Sequence, residues 1–297
     1  MKAKLTAYLR LLRLPAVFTA MADVFLGFVC QRGDWQPLSL LIGLLACSSG
    51  LYLAGMVLND VFDRHRDARL RPDRPIPSGA VSVREAVGLA AVLIVTALFA
   101  AASVGRAAFA TALMLTLAVL GYDGWLKQTG AGPMAMGLCR LLNLLLGASA
   151  VDSLSAVWRL PQLHLAMSLA VYVTGVTWLA RSEVPAEAKR SLLGALGVVN
   201  LGVAGFATFV LNWPGTQPGS TLVILLVVAV TINRRLVVLL GHPEPTRVRQ
   251  AVGVLLGSII ILDAAAVLFV SARVDIALSV AALVVPYLVL RSRWAVT

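Results

Sequence analysis

Residues 59–79 read NDVFDRHRDARLRPDRPIPSG and place three aspartates, Asp60, Asp63 and Asp67, where a long apolar segment ends. Only 13% of the 297 residues are charged, so this concentration of charge needs a chemical explanation. If the helix of the apolar segment continues through Asp67, a rotation of about 100° per residue puts Asp63, Asp67 and Asp60 at about 40°, 80° and 100° from Asn59. The motif therefore predicts one helix face that carries an asparagine and three carboxylates.

The residue types in this stretch indicate a site for a metal ion and a phosphorylated ligand. Carboxylates packed this closely repel one another unless a cation joins them. Mg²⁺ prefers one or two carboxylates together with substrate phosphates. Arg71 and Arg74 carry paired donors suited to phosphate, and Pro72, Pro75 and Pro77 end the helix and stiffen the loop. The alternative is an arginine-rich loop that serves only as a topology signal.

The rest of the chain has the composition of a membrane protein. It is 59% hydrophobic and its mean hydropathy is +0.88, whereas soluble domains carry about 25% charged residues. Apolar runs long enough to cross a bilayer as helices recur along the whole length. They lie near 14–31, 38–58, 83–103, 106–121, 133–151, 162–180, 190–211, 219–240, 250–271 and 274–290.

These runs predict an all-α fold, a polytopic bundle of 9–10 transmembrane helices that forms a single integral-membrane domain over residues 1–297. Strand-like alternation is missing from the sequence, which argues against a barrel. The last two runs are joined by only a few residues around Arg273, so nine spans with one re-entrant segment stays an alternative to ten. The first run lacks a clear cleavage site and is expected to be a retained helix rather than a signal peptide.

The net charge of +11 follows the connections between the runs. Basic residues concentrate before the first run, in the even-numbered connections and after the last run, which is the positive-inside pattern. It predicts an even number of spans in the cell inner (plasma) membrane, with both termini and the aspartate motif on the cytoplasmic side. It also explains the basic character without a nucleic-acid partner.

The 59–79 stretch resembles the first signature of the UbiA superfamily of intramembrane prenyltransferases, NDxxDxxxD followed by an arginine- and proline-rich run. The resemblance implies a helical bundle around a central cavity that opens to lipid. It implies Mg²⁺ as cofactor, an isoprenyl diphosphate as donor, and transfer of the prenyl group to a lipophilic or aromatic acceptor within the bilayer.

Other segments extend the resemblance. Tyr122 and Lys127, in YDGWLK, are similar to the family's tyrosine–lysine element, and Arg13 stands at the basic position of its first helix. Arg140 and Asn143 lie inside the fifth run, where polar side chains are costly and face a cavity or a partner. Alternatives stay open: Lys127 as a topology charge, and Asn143 as part of a helix–helix hydrogen bond.

Two aspartates lie deep in apolar runs, Asp23 in the first and Asp263 in the ninth. For both, pairing with other polar groups inside the bundle is the expected role.

The second aspartate motif of the family is replaced here by TWLARSEVPAEAKR, residues 177–190. Glu183 and Glu187 keep the i, i+4 spacing of two carboxylates on one helix face, but Pro185 lies between them. Glutamate is longer than aspartate and Mg²⁺ demands near-octahedral geometry. The alternative for this stretch is a solvated, amphipathic helix start. This departure, together with the YDGWLK and MGLCRLLN segments, resembles the UbiA-like subgroup that includes EboC, which is associated with the export of secondary metabolites or their precursors.

The resemblance implies a specific set of site residues. The catalytic residues would be Asp60, Asp63, Asp67 and Glu183, the metal ligands these four with Glu187, and the diphosphate-binding residues Asn59, Arg71, Arg74, Tyr122, Lys127, Arg13, Arg140 and Asn143. An alternative function is a catalytically weakened protein that binds a lipid diphosphate or supports the export of a precursor. A secondary transporter fits less well, because the acidic cluster lies at a helix end rather than at the midplane.

Overall fold

The computed structural model describes residues 2–181, 188–214, 218–241 and 244–293, and over these ranges it contains helices and no strand. The α-helices are α1 Lys2–Leu12, α2 Val17–Arg32, α3 Leu38–Leu70, α4 Val83–Val104, α5 Arg106–Gly124, α6 Gly132–Gly147, α7 Leu154–Val157, α8 Gln162–Arg181, α9 Ala188–Asn212, α10 Pro218–Gly241, α11 Pro245–Ser271, α12 Val274–Ala281 and α13 Val284–Arg293. Short 3₁₀ helices cover Leu14–Ala16 and Leu126–Gln128.

Nine helical stretches in the described part of the chain are long and apolar enough to span a bilayer. The predicted all-α membrane bundle is therefore confirmed, and the protein is a multi-pass membrane protein. Helix α6 has only 16 residues, which makes it about 24 Å long and shorter than the hydrocarbon core of about 30 Å.

Helix α6 nevertheless runs from one end of the bundle to the other. Just before it begins, the Thr129 carbonyl accepts a hydrogen bond of 2.8 Å from Arg181, the last residue of α8. Just after it ends, the Ala150 carbonyl accepts a bond of 2.8 Å from Arg32, the last residue of α2. The fifth predicted segment is therefore a crossing.

The last segment also crosses, as two helices. Arg273, before α12, lies 2.8 Å from Asp34 at the end of the bundle opposite the aspartate motif. Tyr287 in α13 donates to the Gly253 carbonyl in the first part of α11 at 2.6 Å. Together with α6, the described helices cross the bundle ten times, which agrees with the even number that the charge pattern predicts.

Helices α2 and α6 make a close backbone contact near the end of the bundle opposite the aspartate motif. A Cβ atom at Gly27 would overlap the Leu144 carbonyl oxygen, and one at Gly147 would overlap the backbone of Val24. Small residues of this kind let membrane helices approach closely. The contact holds the last part of α2 against the last part of α6.

Candidate active site

Helix α3 continues through the aspartate motif and ends at Leu70. Arg71 leaves the helix with φ −147° and ψ 65°, because the residue before a proline is disfavoured in the α region. The loop then turns back: the Arg74 N–H donates to the Arg71 carbonyl at 3.1 Å, and the Ser78 N–H to the Arg74 carbonyl at 2.9 Å. This turn returns the Arg74 side chain to the last part of α3.

Two arginines hold the first and third aspartates of the motif. Arg74 Nη1 lies 2.6 Å from Asp67 Oδ2 and 3.4 Å from Asp60 Oδ1. Arg13 Nη2 lies 2.5 Å from the same Asp60 oxygen. Asp60 is only 4% exposed, so its charge is compensated from two sides.

Arg13 occupies an unusual backbone conformation between α1 and the 3₁₀ helix. Its φ of 45° and ψ of 51° are left-handed, a conformation that costs a non-glycine residue on the order of 1–3 kcal/mol. The strain falls on the residue whose side chain reaches Asp60. The hydrophobic pattern of the sequence contains no signal for this turn.

The second aspartate of the motif pairs with the predicted lysine. Lys127 Nζ lies 3.0 Å from Asp63 Oδ1 and donates to Asn59 Oδ1 at 3.1 Å. The lysine stands in the short 3₁₀ helix Leu126–Gln128 after α5, and its side chain reaches the last part of α3. Asn59, Asp63 and Lys127 are therefore in contact, and their roles in binding a diphosphate or a metal ion stay predictions.

Three cavities meet at this end of α3. The lysine pocket, of about 650 Å³, is lined by Asn59, Phe62, Asp63, His65, Arg66, Tyr122, Lys127, Gln128 and Arg181. The arginine pocket, of about 520 Å³, is lined by Arg13, Asn59, Asp63, Arg66, Asp67, Leu70, Arg71, Arg74, Ala180 and Arg181. Both pockets are rich in cations and share the Asp63 side of the helix.

The third, inner cavity, of about 440 Å³, extends from the pockets into the bundle. Its wall is mostly apolar, with Leu51, Val119 and Val176 among its residues. Asn59 lines all three cavities. Ser48 also lines the inner cavity, and its position in α3 is about 16 Å along the helix from Asn59.

Arg66 and Arg181 line both outer pockets, and neither was predicted as a site residue from the sequence. Both side chains are exposed, and the described part of the chain offers neither an ion-pair partner. Arg66 lies next to the aspartate face in the helical projection, which was an available signal. For Arg181 the only sequence signal was the distribution of basic residues between the spans, which does not show where a residue lies relative to the pockets.

Arg140 and Asn143 line the inner cavity rather than the outer pockets. Arg140 Nη2 lies 2.9 Å from Asp23 Oδ1, and Asn143 Nδ2 donates to Asp23 Oδ2 at 2.9 Å. Ser48 donates to Asn143 Oδ1 at 2.6 Å. The expected pairing of Asp23 inside the bundle is present, and the predicted contact of Arg140 and Asn143 with a diphosphate stays a prediction.

The metal-binding roles of Asp60, Asp63, Asp67, Glu183 and Glu187 stay predictions. Over the described ranges, no group of three or more histidine, cysteine, aspartate or glutamate side chains comes together as a ready-made metal site. Asp63 and Asp67, however, line the same pocket as several arginines. That donor set fits an ion such as Mg²⁺, which takes one or two carboxylates and completes its shell with phosphate oxygens and water. Glu183 and Glu187 lie outside the described residues.

Comparison with known proteins identifies the class. The model of the UbiA prenyltransferase family matches residues 20–250, most of the chain, and the chain belongs to this family. The structure resembles a UbiA homologue from Aeropyrum pernix K1 in its apo form, with a TM-score of 0.69 and 21% identity over 84% of this chain and 96% of that one.

A second structural neighbour is a UbiA homologue from Archaeoglobus fulgidus bound to GPP and Mg²⁺. Its TM-score is 0.60, with 17% identity over 88% of this chain and 99% of that one. Among curated relatives, digeranylgeranylglyceryl phosphate synthase from Metallosphaera sedula is 32% identical over 157 residues, 51% of this chain and 55% of that protein. The chain thus spans about half the length of the curated relatives it matches.

Proposed function

We propose that this protein transfers an isoprenyl group from an isoprenyl diphosphate to a lipophilic or aromatic acceptor within the membrane, in a Mg²⁺-dependent reaction. The observation that carries the proposal is the meeting of the three cavities at Asn59. Two cation-rich pockets and one apolar cavity match a ligand with an anionic head and a hydrocarbon tail. A small water-soluble phosphate ester would leave the inner cavity empty.

The charge of the outer pockets favours an anionic ligand. Six cations, Arg13, Arg66, Arg71, Arg74, Lys127 and Arg181, surround the three carboxylates Asp60, Asp63 and Asp67. A diphosphate that binds Lys127 and Arg74 would replace Asp63 and Asp67 as their partners. The two carboxylates would then be free to hold Mg²⁺, which supplies further neutralisation of the diphosphate charge.

The reaction follows from this arrangement. The bond between C1 of the isoprenyl group and the diphosphate oxygen breaks, and its electron pair leaves with the diphosphate, whose charge the surrounding cations stabilise. A nucleophilic atom of the acceptor forms the new bond to C1 from the side of the inner cavity and releases its proton to pyrophosphate or water. The apolar wall of the inner cavity keeps water from the allylic cation.

The cellular placement belongs to the same proposal. Helices α1 and α13 lie at the end of the bundle that carries the aspartate motif, since Lys4 in α1 pairs with Glu85 near the start of α4 and Tyr287 packs on the first part of α11. With the positive-inside pattern, this end faces the cytoplasm of the cell inner membrane. Membership of the subgroup that includes EboC stays a prediction.

A second function is diphosphate binding without turnover. The sequence observation that favours it is the lack of aspartate in residues 177–190, where the family has its second motif. In that case the outer pockets would hold a lipid diphosphate for an export partner. The aspartates of the first motif would serve binding alone.

The test uses the full-length protein in lipid nanodiscs with Mg²⁺, radiolabelled geranyl diphosphate and a membrane lipid extract. A labelled lipid product that is lost in Asp63→Asn and Asp67→Asn supports the transferase. The matched control is Asp275→Asn, at the opposite end of the bundle, which should keep full activity. Binding of the diphosphate with no labelled product from any acceptor would establish the binding function instead.

A further inference from the structure

The inner cavity contains hydrogen-bond donors that an isoprenyl tail cannot satisfy. Arg140 Nη2 donates to Asp23 and to the Thr19 carbonyl, whereas Nη1 has no partner among the described residues and, unlike Nε, is not fully enclosed. Tyr52 lines the same cavity, and no described residue forms a hydrogen bond with its hydroxyl group. Donors on the wall of an apolar cavity are costly to leave without an acceptor. Because a hydrocarbon tail offers no acceptor atom, these donors call for a ligand that carries oxygen.

Asn143 differs from Arg140 although both line the cavity. Its amide nitrogen donates to the Ala20 carbonyl and to Asp23, and its oxygen accepts from Ser48. Both N–H groups of Asn143 are therefore occupied, so it offers a ligand no donor. Through Asp23 it helps to hold the guanidinium of Arg140 against the cavity wall.

The charge beside Arg140 determines what kind of oxygen the cavity accepts. Asp263 is fully buried, its carboxyl lies against that of Asp23, and no other described residue donates a hydrogen bond to its oxygens. One guanidinium thus faces two carboxyl groups. The cluster is neutral if the two carboxyls share a proton and negative if they do not, so it has no positive charge to offset an anion. The other arginine on the cavity wall, Arg13, is paired with Asp60.

We infer that the inner cavity holds an uncharged oxygen of the acceptor, a carbonyl or hydroxyl group, hydrogen-bonded by Arg140 and Tyr52. The inference rests on the proposed prenyl transfer, because it names the acceptor class of that reaction. A carboxylate or phosphate at the same place would meet the carboxyls of Asp23 and Asp263 across a medium of low dielectric constant. If an acceptor has an anionic group, that group binds among the cations of the outer pockets.

The test compares two phenols that differ in one group. 4-Hydroxyacetophenone carries a neutral carbonyl and 4-hydroxybenzoate carries a carboxylate at the same position. Each is titrated calorimetrically into the full-length protein in nanodiscs with Mg²⁺, in the presence and absence of geranyl thiolodiphosphate, a donor analogue that does not ionise. The diphosphate of the analogue fills the outer pockets and its geranyl tail lies along the apolar wall of the inner cavity, so that the carboxylate is confined to the part of the cavity beside Arg140 and Tyr52.

The wild-type protein is expected to bind the ketone at least about tenfold more tightly than the carboxylate, because the pairing of Arg140 with Asp23 leaves no positive charge to offset the carboxylate. The double variant Asp23→Asn, Asp263→Asn leaves Arg140 uncompensated and should lower this preference about tenfold or reverse it. Asp263→Asn alone is the matched control, since Asp23 still pairs with Arg140, and should keep the preference. Tyr52→Phe should weaken the ketone more than the carboxylate.

Equal or tighter binding of the carboxylate by the wild-type protein would overturn the inference. So would a preference that the double variant leaves unchanged while its gel-filtration profile stays that of the wild type. Failure of the donor analogue to bind would count against the proposed transferase, whereas a ketone preference measured without the analogue would still support the subsite.

Discussion

The two polar regions of this bundle differ in their balance of cations and carboxylates and in their access to a ligand. At the end of α3, three carboxylates are outnumbered by six cations, and the pairs border pockets that a ligand can enter. Around Asp23, two carboxyls face one guanidinium, and every member is buried. The first region is suited to exchange its internal partners for an anion. The second is fixed and selects against one.

The strongest test of this contrast is Arg140→Leu. Removing the guanidinium leaves Asp23 buried without a cation, which we expect to lower the free energy of unfolding by about 3–5 kcal/mol. Denaturant unfolding in detergent measures the loss. The double change Asp23→Leu, Arg140→Leu removes both charges and should be much less harmful. If Arg140→Leu is as stable as the double variant, the ion pair of Asp23 and Arg140 does not stabilise the fold.

Lys127→Ala tests the exchangeable region. Without the lysine, the departing diphosphate loses a cation, and kcat/KM for an isoprenyl diphosphate should fall about 10²–10³-fold. The unfolding midpoint should change far less than in Arg140→Leu, because Asp63 borders pockets open to water. Lys4→Ala, which removes an exposed lysine paired with Glu85, is the control and should keep its activity. A matching loss in both variants would indicate a general effect of lysine removal.

Arg66→Gln should have a smaller effect. Arg66 is an exposed cation without an ion-pair partner among the described residues, so its loss should raise KM for the diphosphate up to about fivefold, with kcat little changed. Steady-state kinetics separates the two constants. Arg106→Gln removes an exposed arginine at the opposite end of the bundle and should leave both constants unaltered. A large fall in kcat would assign Arg66 to the transition state instead.

Added salt should have the smallest effect of these changes, and it should affect the outer pockets but not the Asp23 region. Raising NaCl from about 0.05 to 0.5 M shortens the screening length several-fold, and we expect KM for the diphosphate to rise about two- to threefold. The stability difference between wild type and Arg140→Leu should stay constant, because buried pairs are screened far less. Measuring both quantities in the same buffers makes the comparison direct. A salt-dependent stability difference would mean that water reaches Asp23.

The sequence was most informative where polar residues interrupt an apolar pattern. The phase of Asn59, Asp60, Asp63 and Asp67 predicted that α3 continues beyond the apolar run, and the proline loop predicted its end. The resemblance placed Lys127 at the site, and the structure puts it on Asn59 and Asp63.

Other features depend on tertiary packing and had no local signal. Which arginine pairs with which aspartate follows from the fold-back of the loop and the left-handed turn at Arg13. The approach of Asp263 to Asp23 depends on how α11 is rotated, and spans that are apolar all round do not reveal their rotation. Because α6 is short, it could be identified as a crossing only from the contacts at its two ends.

The pairing of Asp23 has a consequence for biosynthesis. Its partner Arg140 follows 117 residues later, so α2 enters the bilayer before the guanidinium has been made. A charged aspartate at the centre of a lone membrane helix costs about 2.5–3.5 kcal/mol on insertion scales. A bound proton or a protein that binds α2 must offset this free energy until α6 is inserted. The nascent chain therefore contains an aspartate without its arginine partner from its first crossing until its fifth.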